Sequence, residues 1–292
     1  MNLGSVLTAM VTPFKDDFSV NYKVAQELAD YLVNHGSDGL VVSGTTGESP
    51  VLSFDEKINL FKAVKEAVDG KAKVIAGTGT YSTSEAVELT KEAEKVGVDA
   101  CMLVVPYYNK PPQEGLYQHF KTIAESTSLP IILYNVPSRT ARNLEAMTTI
   151  RLAQIKNIVA IKEASGNMVQ VANIIKETPP DFKVYSGEDS HTFAILTLGG
   201  DGVISVASHI AGEEIKDMVR AAKSGDLEKA RSLHLDLLPL FKVLFTTTNP
   251  IMVKAAVRLR GIEAGPLRLP LVEPTQAELE RLKTVLKGLS LL

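Results

Sequence analysis

The stretch Ile158-Val159-Ala160-Ile161-Lys162-Glu163 decides the fold. Its first four residues are apolar without a break. A strand with one wet face alternates apolar and polar residues. An unbroken run reads as a parallel strand covered on both faces. Working outward, similar runs lie at Val6–Val11, Gly39–Ser43, Lys73–Gly77, Ala100–Val105, Pro130–Asn135, Ile158–Lys162, Lys183–Ser186 and Gly202–Val206, eight in all. Most are about 25 to 35 residues apart, the length of a strand, a helix and two loops.

The intervals carry a helical period. Apolar residues recur every three or four positions in Val24–Val33 and in Leu60–Val68, which stops at Asp69-Gly70. The segment from Ser84 to Gly97 behaves alike. Eight strand-helix units in succession predict a (β/α)8 barrel, with a doubly wound open sheet as the alternative. The expected division is a catalytic barrel over 1–224 and a helical segment over 225–292, with helices at Asp226–Leu244, Asn249–Arg260 and Thr275–Leu289.

Composition narrows the function. The 292 residues carry 31 basic and 34 acidic side chains, a formal charge of −3. The basic residues are scattered, which argues against nucleic acid. No apolar run approaches the roughly 18 residues of a membrane span. Met1–Ser5 lacks a basic signal-peptide start, so the cytoplasm is the expected compartment. Cys101 is the only cysteine, which leaves no internal disulfide; its apolar setting predicts burial. The five histidines have no metal-ligand spacing, the Glu188-Asp189 pair reads as surface carboxylates with cation binding as the alternative, and no Gly-x-Gly-x-x-Gly occurs. Neither a metal nor an organic cofactor is expected.

A barrel of this kind carries its chemistry on the loops that follow the strands. Lys162 ends one such strand. It either emerges to solvent, pairs with Glu163 or Glu188, or serves as an amine nucleophile. A free amine attacks a ketone, whereas an ordinary lysine is protonated at neutral pH; desolvation favours the neutral form. Gly44-Thr45-Thr46-Gly47 offers two hydroxyls and accessible N–H groups to a small carboxylate, or is a plain strand-to-helix turn. Tyr134 is either a core tyrosine or a proton shuttle, and Arg139 a surface ion pair or a carboxylate clamp. Tyr107 and Tyr108 precede the stiff segment Asn109-Lys110-Pro111-Pro112.

In order, Gly44-Thr45-Thr46-Gly47-Glu48-Ser49, Tyr107-Tyr108-Asn109-Lys110-Pro111, Tyr134-Asn135-Val136-Pro137-Ser138-Arg139-Thr140 and Ile161-Lys162-Glu163-Ala164 resemble the dihydrodipicolinate synthase family. The resemblance runs from Met10-Val11-Thr12-Pro13-Phe14 to Asn249-Pro250. Related pyruvate lyases, such as N-acetylneuraminate lyase or a 2-keto-3-deoxygluconate aldolase, share the Lys and Tyr. They typically read Gly-Ser-Thr-Gly-Glu at the first motif.

The resemblance implies a lyase of diaminopimelate and lysine biosynthesis that joins pyruvate to L-aspartate 4-semialdehyde. It implies that Lys162 forms an imine with pyruvate and that Thr46 holds the pyruvate carboxylate. Tyr134, Thr45 and Tyr108 would relay protons, with Tyr108 supplied by a neighbouring subunit. Arg139 would bind the aldehyde substrate's carboxylate, and Gly187 and Ile204 would line the pyruvate pocket. A homotetramer, built as a dimer of dimers, is the implied assembly. At the positions that form the family's lysine-effector site, this chain has Phe54, Lys57 and Tyr81, with Glu85 and Tyr107 retained. Lys57 would repel a lysine ligand, so feedback is expected to be weak or absent.

Overall fold

The computed structural model describes residues 3–292. Its strands are β1 (Val6–Ala9), β2 (Gly39–Val42), β3 (Lys73–Gly77), β4 (Ala100–Val104), β5 (Ile131–Asn135), β6 (Ile158–Glu163), β7 (Lys183–Ser186) and β8 (Gly202–Ser205). Each pairs in parallel with the next, and β8 returns to β1 through Val6↔Val203 and Leu7↔Ile204. The sheet is a closed barrel, which excludes the open doubly wound alternative. Several strands stop one or two residues inside the apolar runs. The ladder ends at the rim, while residues beyond it, such as Met10 and Val11, stay buried under loops.

Alternation along each strand splits the apolar residues into two layers. Leu7, Val41, Ile75, Met102, Ile132 and Ala160 fill the barrel interior. Val6, Leu40, Val74, Cys101, Leu133 and Ile161 face the surrounding helices. Both layers are dry, and that is why the runs show no polar alternation. Cys101 is fully buried, and burial pushes its thiol up to about 12.

The helices begin and end where local chemistry directs. Phe54–Val68 starts at a Ser53–Glu56 capping box and ends on Asp69 in the left-handed region. Thr83–Val96 ends on Gly97 at φ 82°, a conformation that costs glycine nothing. Beyond the barrel lie helices Leu227–Val243, Ile251–Leu259 and Gln276–Gly288, the last opened by a Thr275–Glu278 capping box. Their Leu240, Phe241, Met252, Val253 and Leu282 join the same apolar cluster as the outward-facing strand residues. No helix among the described residues is long and apolar enough to cross a membrane.

Candidate active site

Lys162 has the same strand parity as Ala160, so it enters the barrel interior, while Ile161 faces the helices. It stands in register with Tyr134 on β5 and Tyr185 on β7. Only 4% of it is exposed, and Nζ lies 4.3 Å from the centre of the Tyr134 ring. Among the described residues no carboxylate comes within ion-pair distance of it. Glu163 points the other way and accepts from Asn135 Nδ2, Gln170 Nε2 and the Ser165 amide at 2.7–3.2 Å. The emergent lysine and the paired lysine are therefore both set aside. Gly187 at the end of β7 makes room: a Cβ there would lie 3.0 Å from Lys162 Cγ and 2.8 Å from Ala164 Cβ.

Lys162 opens into a cavity of about 110 Å³ that also takes in Thr45, Thr46, Tyr134, Arg139 and Gly187. That is roughly the liquid volume of four waters, a space for a ligand of few atoms. Thr45, Tyr134, Val136 and Arg139 also face a second chamber of about 200 Å³, bounded by Met102 and Tyr107. The hydroxyls of Thr45 and Tyr134 have no protein partner among the described residues, so both are free to serve a ligand. Ile204 belongs to the barrel interior with Tyr134 and Val136; on the same strand end, Val206 lines the cavity.

The loop after β2 is held from behind. Ser43 and Glu48 bracket it in the left-handed region at φ 57° and 56°. Thr12 Oγ1 donates to the Gly47 carbonyl at 2.7 Å. Asn249 Nδ2 donates to Thr46 Oγ1 at 2.9 Å, and Arg139 reaches the Asn249 carbonyl at 3.4 Å. Lys254 Nζ meets Glu48 Oε1 at 2.8 Å, with neither side chain exposed. The Arg268 amide donates to the other Glu48 oxygen at 3.0 Å, and Lys254 Nζ sits 4.1 Å above the Phe14 ring.

The dihydrodipicolinate synthetase family model matches residues 2–289. A 4-hydroxy-tetrahydrodipicolinate synthase from Moorella thermoacetica is 58% identical over 292 residues, the full length of both chains. A dihydrodipicolinate synthase crystal structure from Cyanidioschyzon merolae, with lysine bound, superposes with a TM-score of 0.98 at 49% identity and covers 99% of each chain. A chloride-inhibited enzyme from Acinetobacter baumannii, complexed with pyruvate, superposes at 0.97 with 40% identity over the whole of both chains. The chain belongs to the dihydrodipicolinate synthetase family. The likeness carried by four short segments thus extends along the whole chain. It favours the synthase over the sugar-acid lyases.

Against that family background, two side chains lie off the pocket while their neighbours line it. Tyr108 is 92% exposed at φ 71°, away from Tyr134 and Thr45. Its neighbour Tyr107 is the one that lines the second chamber. It meets Tyr81 edge to face at 5.3 Å, and burial raises its phenol. Asp189 is not the surface carboxylate expected but is committed inside the fold, because Ser205 Oγ donates to it at 2.5 Å and the Val206 and Ala207 amides at 3.0 Å, while burial still pulls its carboxyl upward. Glu188 lines the Lys162 cavity, and burial raises it too.

Sequence reasoning missed Asn249, Lys254 and the anchoring role of Glu48. A signal for one of them existed. Lys254 interrupts Ile251-Met252-Val253-Lys254-Ala255-Ala256-Val257, a helix apolar all round. A lone lysine in such a helix is buried, and buried charge is paired. Its partner lies 206 residues away, so the pairing is not readable locally.

Proposed function

We propose that Lys162 is the Schiff-base lysine of a 4-hydroxy-tetrahydrodipicolinate synthase that joins pyruvate to L-aspartate 4-semialdehyde. The observation that carries this is the buried, unpaired Lys162 amine in one small cavity with Tyr134, Thr45 and Thr46. The amine adds to the pyruvate carbonyl, and loss of water gives a protonated imine. That cation is an electron sink, so a methyl proton leaves and an enamine forms. The enamine carbon attacks the aldehyde. The substrate's own amine then closes the ring on the imine carbon and returns Lys162 as the free amine. As written, the sequence consumes no oxidant and needs no metal or organic cofactor.

Thr46 and the neighbouring loop amides hold the pyruvate carboxylate, and Arg139, which faces both chambers, takes the carboxylate of the second substrate. Tyr134 moves protons at the carbonyl oxygen. A phenol with an ordinary value near 10 is a poor base alone, so Thr45 links it to a second phenol, Tyr108 of a neighbouring copy. The exposure of Tyr108 in the single chain supports a role across a subunit boundary. The assembly is a tetramer built as a dimer of dimers, working in the cytoplasm. The catalytic barrel spans 1–224, and the helices of 225–292 brace its β2 loop.

Pyruvate followed by borohydride tests the reading. Mass spectrometry should find a reduced pyruvate adduct on the peptide containing Lys162; an unmodified peptide rejects it. A coupled assay should show turnover with L-aspartate 4-semialdehyde and none with N-acetylneuraminate or 2-keto-3-deoxygluconate. Mixing Tyr108→Phe with Tyr134→Phe protein should recover part of the activity that each lacks. No recovery would place both residues in one subunit's site.

A further inference from the structure

Asn249 stands directly behind Thr46. It is 5% exposed, Thr46 2%, and both line the Lys162 cavity. Asn249 Nδ2 donates to Thr46 Oγ1 at 2.9 Å, while Asn249 Oδ1 is buried without a partner among the described residues. A threonine hydroxyl has one proton to give. An amide turned the other way would accept that proton and leave none for a ligand. With the NH₂ group toward Thr46, one oxygen lone pair is occupied and the proton is released into the cavity. The same residue accepts from Arg139 through its carbonyl, so it touches both groups assigned to substrate carboxylates.

The support behind this amide is rigid. Asn249 lies two residues before the helix Ile251–Leu259, whose Lys254 is locked to Glu48, two residues after Thr46. Loop and helix are therefore joined at two points, one polar and one ionic, and the hydroxyl cannot drift independently of the helix. A binding group fixed by a second layer of hydrogen bonds keeps its geometry far better than one left on a free loop.

We infer that Asn249 is a positioning residue for keto-acid binding: its amide holds the Thr46 hydroxyl with the proton aimed at the substrate carboxylate. The inference rests on the reading of the Lys162 cavity as the pyruvate site. The appended helices thereby complete the substrate pocket in addition to bracing the barrel.

A double-mutant cycle tests it. The readouts are the pyruvate concentration giving half-maximal borohydride trapping on Lys162, and KM and kcat for each substrate. With the Thr46 hydroxyl no longer aimed, its charge-assisted hydrogen bond to the carboxylate weakens, so Asn249→Ala should raise the pyruvate half-saturation by about tenfold and leave kcat and the KM for L-aspartate 4-semialdehyde within about threefold. In a Thr46→Val background the same change should add less than about twofold, because no hydroxyl remains to orient. An equal penalty in both backgrounds, or a fall in kcat with pyruvate half-saturation unchanged, would overturn the inference. Should Asn249→Ala not fold, Asn249→Asp decides. It has the same shape but accepts the Thr46 proton, so pyruvate half-saturation should rise by at least about tenfold. Near-normal pyruvate binding in Asn249→Asp would reduce Asn249 to a filler of space. Absence of an adduct on the unmutated chain is a separate failure, that of the pyruvate reading itself.

Discussion

Of the three lysines buried among the described residues, two live under opposite rules. Lys254 is wholly enclosed in the helix Ile251–Leu259, yet it has Glu48 at 2.8 Å and the Phe14 ring at 4.1 Å. Even so, burial brings it down to about 8. Lys162 is almost as buried and has no carboxylate partner among the described residues; in its place are a tyrosine ring and a cavity. One lysine is satisfied and joins distant parts of the chain. The other is left unsatisfied where a small molecule can reach it. An uncompensated buried amine costs stability, and such a cost persists where function requires it.

The largest break in this comparison comes from Lys162. Lys162→Met should lower turnover by more than about a thousandfold, since a covalent nucleophile has no substitute. Its unfolding midpoint should stay level or rise, because an apolar chain replaces an unpartnered amine. A marked loss of stability would show that Lys162 is structural. Lys254→Met should behave in reverse. It strands the Glu48 carboxylate in a dry site, and breaking one side of a buried pair costs about 3–5 kcal/mol. Denaturant unfolding measures that loss, and adding Glu48→Gln should recover part of it. Unchanged stability in Lys254→Met would mean that the pair contributes nothing to holding the β2 loop.

How much of this was legible depends on distance along the chain. The barrel was readable because both of its layers are dry: Ile158-Val159-Ala160-Ile161 shows as an unbroken run wherever it sits. Lys162 was readable because charge at the end of such a run is itself anomalous. Thr46, Tyr134 and Arg139 gained meaning only as an ordered set, and the structure places all three on one cavity. Asn249 and Lys254 were not legible as site residues. Their partners Thr46 and Glu48 lie 203 and 206 residues earlier, and only closure of the barrel brings them together. Tyr108 carries no local sign of where it acts, since a side chain that faces outward is explained only by what it meets.

Buried histidines sharpen the contrast from the neutral side. His209 is enclosed in the first turn of the helix Ser208–Lys223 that follows β8. It accepts from the Val11 amide through Nε2 at 3.1 Å and faces the Val206 carbonyl through Nδ1 at 2.8 Å, which fixes the proton on Nδ1. Burial holds it down to about 4 from the usual 6.5, and burial does the same to His119. Unfolded, each takes up a proton below about 6.5; folded, only below about 4. The stability tied to this neutrality is complete above pH 6.5 and is lost as pH falls toward 4. The loss is at most about 3 kcal/mol per histidine. Unfolding followed from pH 7 to pH 4 should show the slope, and His209→Gln should flatten it. An unaltered slope would assign the acid sensitivity to carboxylates.

Lys57 offers the smallest effect and the finest distinction. It is 8% exposed on the helix Phe54–Val68; burial lowers it, and the charge of Glu85 partly opposes that. It has a nearby opposite charge but no ion pair within 4 Å among the described residues, a state between those of Lys254 and Lys162. Tyr81, half exposed, packs on Tyr107 beside this region. A free lysine binding there would bring a second ammonium toward Lys57, and each would compete for Glu85. Like charges at close range in a partly desolvated site repel far more than in water. The Cyanidioschyzon merolae structure has lysine bound, so the comparison is direct. Initial rates of this enzyme in millimolar lysine should change by less than about twofold, because the repulsion offsets most of the affinity such a site offers. Strong inhibition would mean that Lys57 moves aside or is neutral when lysine arrives. Where inhibition is weak, Lys57→His traces the cause: if the cation at 57 is what excludes lysine, inhibition appears in the variant at a pH where the histidine is neutral.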